Sequence, residues 1–134
     1  YLIMQSYVVR TKKFKSGDEE KLRYYGVPVT SGQVDEEYLA KEICERSSLT
    51  ESDVLATLVA LKQVMRQHLK NGSTVKLKGI GLFSVSATSK GFDTPEECTD
   101  STVKAQRVCF KADHYLRGVL AEIKYQKVNR GKTK

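Results

Sequence analysis

The sequence is poor in the residues that build covalent frameworks and metal centres. It has three cysteines, Cys44, Cys98 and Cys109, an odd count with no Cys-x-x-Cys spacing. That pattern excludes a disulfide framework and a tetrahedral zinc site. Its two histidines, His68 and His114, stand far apart, each without a nearby cysteine. No metal and no cofactor is expected. Long apolar runs are missing too. None approaches the ~20 residues of a membrane span, and no signal-peptide pattern opens the chain. These absences point to an intracellular protein with no membrane partner. No nucleophile–base constellation stands out, so an enzyme with a small-molecule substrate is the least expected class. The Gly79-Ile80-Gly81 stretch runs on into Leu82-Phe83-Ser84 and lacks the third glycine of a dinucleotide fingerprint.

What remains is a folded, charged composition. The chain has 134 residues, 40% hydrophobic and 29% charged, which suits one domain with a small extension and a core that needs no staple. The net charge of +7 is unevenly placed. Residues 1–34 carry net +3, 35–53 net −5, 54–92 net +6 with no acid, 93–101 net −4 with no base, and 102–134 net +7. Such blocks predict a molecule with basic and acidic faces. A basic face commonly meets phosphate; an ordinary solvated surface is the alternative reading of the same charges.

Residues 2–9 and 22–30 are rich in β-branched and aromatic side chains, and the polar stretch Lys12 to Lys21 between them holds Ser16-Gly17-Asp18. The pattern predicts a hairpin with a long loop. Pro28 suits an edge or strand end, and Ser31-Gly32 marks a subdomain boundary. Residues 35–47 read as a helix. Asp35, Glu36 and Glu37 put negative charge in its first turn, where the macrodipole favours it. Leu39 and Ile43 line one face, with Tyr38 and Ala40 beside them. Thr50-Glu51-Ser52-Asp53 reads as a capping box opening an apolar-rich helix that stops at Asn71-Gly72. Its twenty residues span roughly 30 Å at 1.5 Å each. Its apolar positions, from Val54 to Leu69, spread over roughly 220° of the wheel, against the ~100° stripe of a one-sided helix. Such a helix is buried twice, by its own subunit and by a partner. Lys62 falls inside that arc, either snorkelling to an edge or narrowing the buried face.

Two strands follow at 74–78 and 82–88. Val75 and Leu77 alternate with Lys76 and Lys78, and Phe83, Val85 and Ala87 alternate with Ser84, Ser86 and Thr88. Gly79-Ile80-Gly81 turns the chain between them. Residues 103–111 read as a third strand, with Val108 and Phe110 on one face and Arg107, Cys109 and Lys111 on the other. With helices against its apolar side, this sheet presents Lys76, Lys78, Ser84, Ser86, Arg107 and Lys111 outward. Residues 113–121 are expected to start a helix capped by Asp113. A last strand is expected at 123–128, before a basic tail from Asn129 to Lys134.

Leu39-Ala40-Lys41-Glu42-Ile43-Cys44-Glu45-Arg46, then Leu49-Thr50 and Asp53, resembles the opening helix-turn-helix of the bacterial histone-like HU and integration host factor family. Leu69-Lys70-Asn71-Gly72, Val75-Lys76-Leu77 and Gly79-Ile80-Gly81-Leu82-Phe83 are similar to its most specific glycine–aromatic segment. Val108-Cys109-Phe110-Lys111 resembles its closing segment. The likeness covers about residues 35–121. Residues 1–34 and 122–134 lie outside the short form of the family and fit a longer HU-related variant with an added N-terminal strand pair. The resemblance implies an α+β fold and an intertwined dimer, either a homodimer or a heterodimer with a related chain. It also implies a saddle of strands facing double-stranded DNA, with β-ribbon arms reaching into the minor groove. The three expected segments are therefore an N-terminal hairpin extension (1–34), an HU-like domain (35–121) and a C-terminal strand and tail (122–134).

Two departures stand out. The connection from Ser89 to Thr102 holds Pro95 among Asp93, Glu96, Glu97 and Asp100. Carboxylates repel phosphates, so the intercalating role of the family's arm proline is not carried over to Pro95. Ala112-Asp113-His114 replaces the family's Pro-Gly-Lys turn and removes a phosphate contact. The leading expectation is an architectural, largely sequence-nonspecific DNA-binding dimer in the bacterial cytoplasm, at the nucleoid. Lys76, Lys78, Lys104, Arg107 and Lys111 would neutralise phosphates. Gly79 and Gly81 would let amides approach the backbone, Ser84 and Ser86 would add hydrogen bonds, and Lys90 would reach in from the base of the arm. The alternative is a protein-interaction or structural module on the same dimer. No aromatic RNA-recognition motif is visible.

Overall fold

The computed structural model describes residues 4–128. The basic tail expected at 129–134, and residues 2 and 3 of the first expected strand, lie outside them. The chain divides into two compact units, one of residues up to 35 together with those from 120 onward, the other of residues 36–119. The N-terminal extension and the closing segment thus belong together.

In the first unit, β1 (Gln5–Ser16) pairs antiparallel with β2 (Glu19–Val29), and β6 (Tyr125–Lys127) pairs parallel with β1, giving the strand order β2-β1-β6. The long loop expected between Lys12 and Lys21 is not there. Both strands run on until only Gly17 and Asp18 remain as the turn. Gly17 takes φ +68°, the left-handed backbone that a two-residue hairpin loop asks of its first position. The polar stretch extends because its charged side chains have neighbours across the ladder: Arg23 lies over the Phe14 ring, 4.4 Å from its centroid. Pro28 sits on β2, an edge strand, opposite Tyr7, where its missing N–H is tolerated. Gly26 leaves room for the Tyr7 ring, which a Cβ there would meet at 3.3 Å. Tyr7 in turn meets Tyr125 of β6 edge to face at 6.4 Å.

The second unit opens with α1 (Glu36–Glu45) and α2 (Glu51–Lys70). The capping box forms as expected. Thr50 Oγ1 accepts the Asp53 N–H at 3.2 Å, and Asp53 Oδ2 accepts the Thr50 N–H at 3.3 Å. The stop is a Schellman motif. Gly72 takes φ +90° and donates to Leu69 O, while Ser73 donates to His68 O. The face of α1 that closes the unit differs from the expected one. Ala40 is fully buried and Cys44 half-buried, whereas Leu39 and Ile43 are exposed. Small residues let α1 and α2 approach, and the larger ones are left outside. Along α2, Val54 is buried and Leu58, Leu61, Met65 and Leu69 are half-buried, while Val59 and Val64 stay exposed. Lys62 Nζ lies 3.4 Å from Glu36 Oε1, an exposed pair of small energetic weight.

The sheet of this unit has the order β3-β4-β5, with β3 (Val75–Leu77), β4 (Gly81–Thr88) and β5 (Lys104–Ala112) all antiparallel. Phe83 and Phe110 are directly opposed on its apolar face, with ring centroids 4.8 Å apart, a pairing that stabilises adjacent strands. No β-ribbon arm forms. Pairing ends at Thr88 opposite Lys104, and residues 89–103 make a loop with single 3-10 turns at Pro95–Glu97 and Asp100–Thr102. The reason is local. Pro95 has no N–H to donate to a ladder and opens a turn instead. The Thr102 hydroxyl accepts the Thr99 N–H and donates to the Thr99 carbonyl, spending itself on local backbone. After β5, the single helix expected over 113–121 is two short ones, α3 (His114–Arg117) and α4 (Val119–Glu122), divided at Gly118. Glycine is a poor helix former. The chain is thus α+β, and among the described residues no helix is long and apolar enough to cross a membrane.

Candidate nucleic-acid interface

Strand register determines which side chains share the polar face of the β3-β4-β5 sheet. Lys76 pairs with Leu82, Leu82 with Lys111, Ser84 with Cys109 and Ser86 with Arg107. These residues therefore lie on one face, opposite Phe83, Val85, Val108 and Phe110. Lys104 needs a further step. Counting by twos from Arg107, it falls on the apolar side. A bulge intervenes: Ser86 pairs with Arg107, but Ala87 pairs with Ala105, so Gln106 has no partner. The extra residue reverses the alternation. Ala105 joins the apolar face with Ala87, and Lys104, opposite Thr88, joins the face that carries Arg107 and Lys111. Lys76, Lys104, Arg107 and Lys111 are all exposed.

One end of this face is organised by Asp113. Leu77 O accepts the Ile80 N–H at 2.9 Å, closing a turn in which Gly79 takes φ +83°, the positive φ of a type II turn. Asp113 Oδ2 accepts the Gly79 N–H and its Oδ1 accepts the His114 N–H, each at 2.7 Å. The Asp113 N–H donates to Ile80 O at 2.9 Å. The two amides, with smaller contributions from Lys76 and Arg117, hold the Asp113 carboxyl below its ordinary pKa of 3.8. Around it, Lys76, Lys111 and Arg117 line a recess of about 190 Å³ together with Leu82 and Ala112.

The expected site residues divide accordingly. Lys76, Ser84, Ser86, Lys104, Arg107 and Lys111 come together on one sheet face, with Lys78 exposed in the turn beside it and Lys90 exposed two residues past β4. Gly79 and Gly81 take other parts than the one expected. The Gly79 amide is engaged by Asp113. Gly81 is buried where a Cβ would collide with the Phe110 ring and the Lys111 carbonyl. Gly79 thus gives its amide to the protein itself, and Gly81 serves a close approach between strands. Ser86 also departs: its Oγ is shut off from solvent with no hydrogen-bond partner among the described residues, so it does not point a hydroxyl outward. Sequence reading missed Arg117, whose signal is its place one helical turn after the capping Asp113. It also missed Leu82 as a member of the polar face, whereas Cys109 lies there beside Arg107 and Lys111 as its alternation predicts. Among the described residues no three His, Cys, Asp or Glu side chains gather as a metal site.

Comparison with known proteins brings these features under one heading. The model of the HU-HIG family, an HU domain fused to wHTH, Ig or glycine-rich motifs, matches residues 4–127. The chain belongs to the HU-HIG family. The match takes in the residues of the hairpin unit, β1, β2 and β6, as well as the HU-like unit. Two curated relatives, both DNA-binding protein HRL18, come from Rhizobium leguminosarum and Rhizobium radiobacter. Each is 36% identical over 55 residues, 40% of this chain and 60% of the relative's length. Two solved structures share the fold. A crystal structure of a candidate bacterial DNA-binding protein from Bacteroides vulgatus aligns over 98% of this HU-HIG chain and 51% of its own, with TM-score 0.64 and 13% identity. An Anabaena HU–DNA cocrystal structure aligns over 66% of this chain and 98% of its own, with TM-score 0.50 and 19% identity.

Proposed function

We propose that this chain is a non-enzymatic, architectural DNA-binding protein of the bacterial nucleoid, and that it grips duplex DNA with the polar face of β3-β4-β5. The observation that carries this reading is the convergence of Lys76, Lys104, Arg107 and Lys111 on one exposed sheet face, with Arg117 at its end. The HU structure that shares the fold was solved with DNA. Each cation that meets a phosphate releases condensed counterions, so affinity comes from the backbone and carries little sequence preference. Lys78 and Lys90 flank the face and extend the contact. Ser84 adds a hydrogen bond. Gly79 and Gly81 hold the turn that presents Lys76 and Lys78.

The working form in this reading is a dimer. Between the second half of α2 and the apolar face of β4-β5 lies an open groove of about 790 Å³, lined in part by Met65, Leu69, Phe83, Val85 and Val108. Val59 and Val64 of α2 are bare as well. A second copy of the chain covers this surface, which agrees with the wide apolar arc of α2.

Gel shifts with linear, nicked and four-way-junction DNA across a salt series test the reading. Affinity for random-sequence duplex is expected to fall steeply between about 50 and 200 mM salt. Equal binding to all three forms argues against a preference for bent DNA, and no binding at low salt overturns the proposal. The loop at 89–103, with four acids and no ribbon, favours a second reading as a protein-interaction module on the same dimer. Absence of duplex binding in the salt series selects it.

A further inference from the structure

The hairpin unit carries a charged surface of its own. Arg10 pairs with Tyr25, Lys12 with Arg23 and Phe14 with Lys21, so these six side chains share one face. The next pair toward the base of the hairpin on that face is Val8 with Val27, and Val8 is 6% exposed. The face is covered at Val8 only; Val27 is 40% exposed, and the surface is open beyond that pair. Arg10, Lys12, Lys21, Arg23 and Tyr25 are exposed, and Phe14 is half-buried. The acid on this face, Glu19, sits opposite Ser16 beside the turn.

The aromatics are interleaved with the cations. The Arg23 guanidinium lies 4.4 Å from the Phe14 ring centroid, which holds a long side chain over the sheet. Tyr25 is 45% exposed and lies about 7 Å along the same strand from Arg23, at ~3.3 Å per residue. An open recess of about 460 Å³ runs beside it, lined by Arg10, Thr11, Lys12, Tyr25 and Val27. Lysines alone would serve to protect the edge of a small sheet. That purpose does not call for an exposed tyrosine among them. A duplex would use the cations but leave the ring idle, because its bases are stacked inside. A single strand offers both phosphates and free base faces.

We propose that this hairpin face binds single-stranded nucleic acid. Arg10, Lys12 and Lys21 track the backbone, while Tyr25 and the Arg23–Phe14 pair stack bases. This face shares no residue with the duplex-binding sheet face proposed above, and the two are tested apart.

The test is fluorescence anisotropy on the full chain with a labelled 20-nucleotide oligothymidylate and, in parallel, a labelled 20-base-pair duplex. Tyr25→Ala is expected to weaken oligothymidylate binding about five-fold or more, and Tyr25→Phe to restore it. Arg10→Ala with Lys12→Ala weakens the same probe and reduces its salt dependence by about 1.4 in log–log slope, ~0.7 per lost phosphate contact. All three variants leave duplex affinity within two-fold. Lys76→Ala with Lys111→Ala gives the reverse pattern. Circular dichroism confirms that each variant is folded; the exposed Arg10 and Lys12 change no packing. No oligothymidylate binding by the parent chain overturns the proposal, as does unchanged binding by Tyr25→Ala. Loss by Arg10→Ala with Lys12→Ala of binding to anionic phospholipid vesicles, with oligothymidylate binding unchanged, also overturns it. Loss of duplex binding alone by the parent chain would sink the function proposed above and leave this one standing.

Discussion

Asp113 Oδ2 accepts the backbone N–H of Gly79 at 2.7 Å, across 34 positions of sequence. Through its other oxygen the same carboxylate accepts the His114 N–H. One side chain thus holds the turn between β3 and β4 to the start of α3. The ionised carboxylate accepts the two bonds better than the neutral acid does, and both lower its pKa.

The sign of the pH effect follows. A group whose pKa is lower in the folded state contributes stability above its unfolded value, and that contribution is lost as pH falls through the folded value. Asp113 therefore stabilises the unit fully above its ordinary value of 3.8 and loses that effect on acidification below it. In acid unfolding followed by circular dichroism, Asp113→Ala is expected to be less stable than the parent at neutral pH. The gap should narrow below pH 3.8. A gap that is constant across the titration contradicts the carboxylate's role.

Gly81 is required by space. A Cβ there meets the Phe110 ring and the Lys111 carbonyl, and the backbone of a neighbouring strand cannot move aside cheaply. Gly81→Ala should cost about 1–3 kcal/mol, the range of overpacking substitutions, measured by urea unfolding. A cost under about 0.5 kcal/mol, typical of open surface positions, contradicts the packing.

Deleting Gln106 tests the bulge. Without the extra residue, β5 returns to simple alternation and Lys104 moves to the apolar face. The deletion should lower the salt slope of duplex binding by about 0.9, the loss of one phosphate contact, and Lys104→Ala should match it. A slope unchanged in the deletion while Lys104→Ala lowers it shows that parity does not matter.

Val108 separates a free groove from a covered one. It is 65% exposed in the single chain, where a substitution to Asp costs little. In a dimer the same carboxylate is buried without a partner, at several kcal/mol. Val108→Asp is expected to convert the protein from dimer to monomer in sedimentation velocity. A parent chain that sediments as a monomer removes the premise.

Much of this was legible from short-range patterns. The capping box at Thr50 and Asp53, the Schellman stop at Gly72 and the alternation through β4 depend on residues within a few positions of one another, and all form. The glycine–aromatic segment and the closing strand identified the HU-like unit. Other readings failed where the deciding partner lies far away. Lys12 to Lys21 looks like a loop because its residues are polar, yet pairing across the hairpin makes it strand. Leu39 and Ile43 line one face of α1 with Ala40 beside them, and of the three only Ala40 is buried in the single chain.

The sequence by itself determined the order of elements, their caps and the excess of positive charge, because helix ends, turns and strand alternation are local physics. Tertiary structure decided which further charges join the face that alternation already gives to Lys76, Arg107 and Lys111. Lys104 reaches the basic face only through an unpaired Gln106, Arg117 reaches it only through the Asp113 anchor, and β6 joins β1 only by pairing between opposite ends of the chain. In each case the deciding contact joins elements far apart in sequence, which local patterns do not pair.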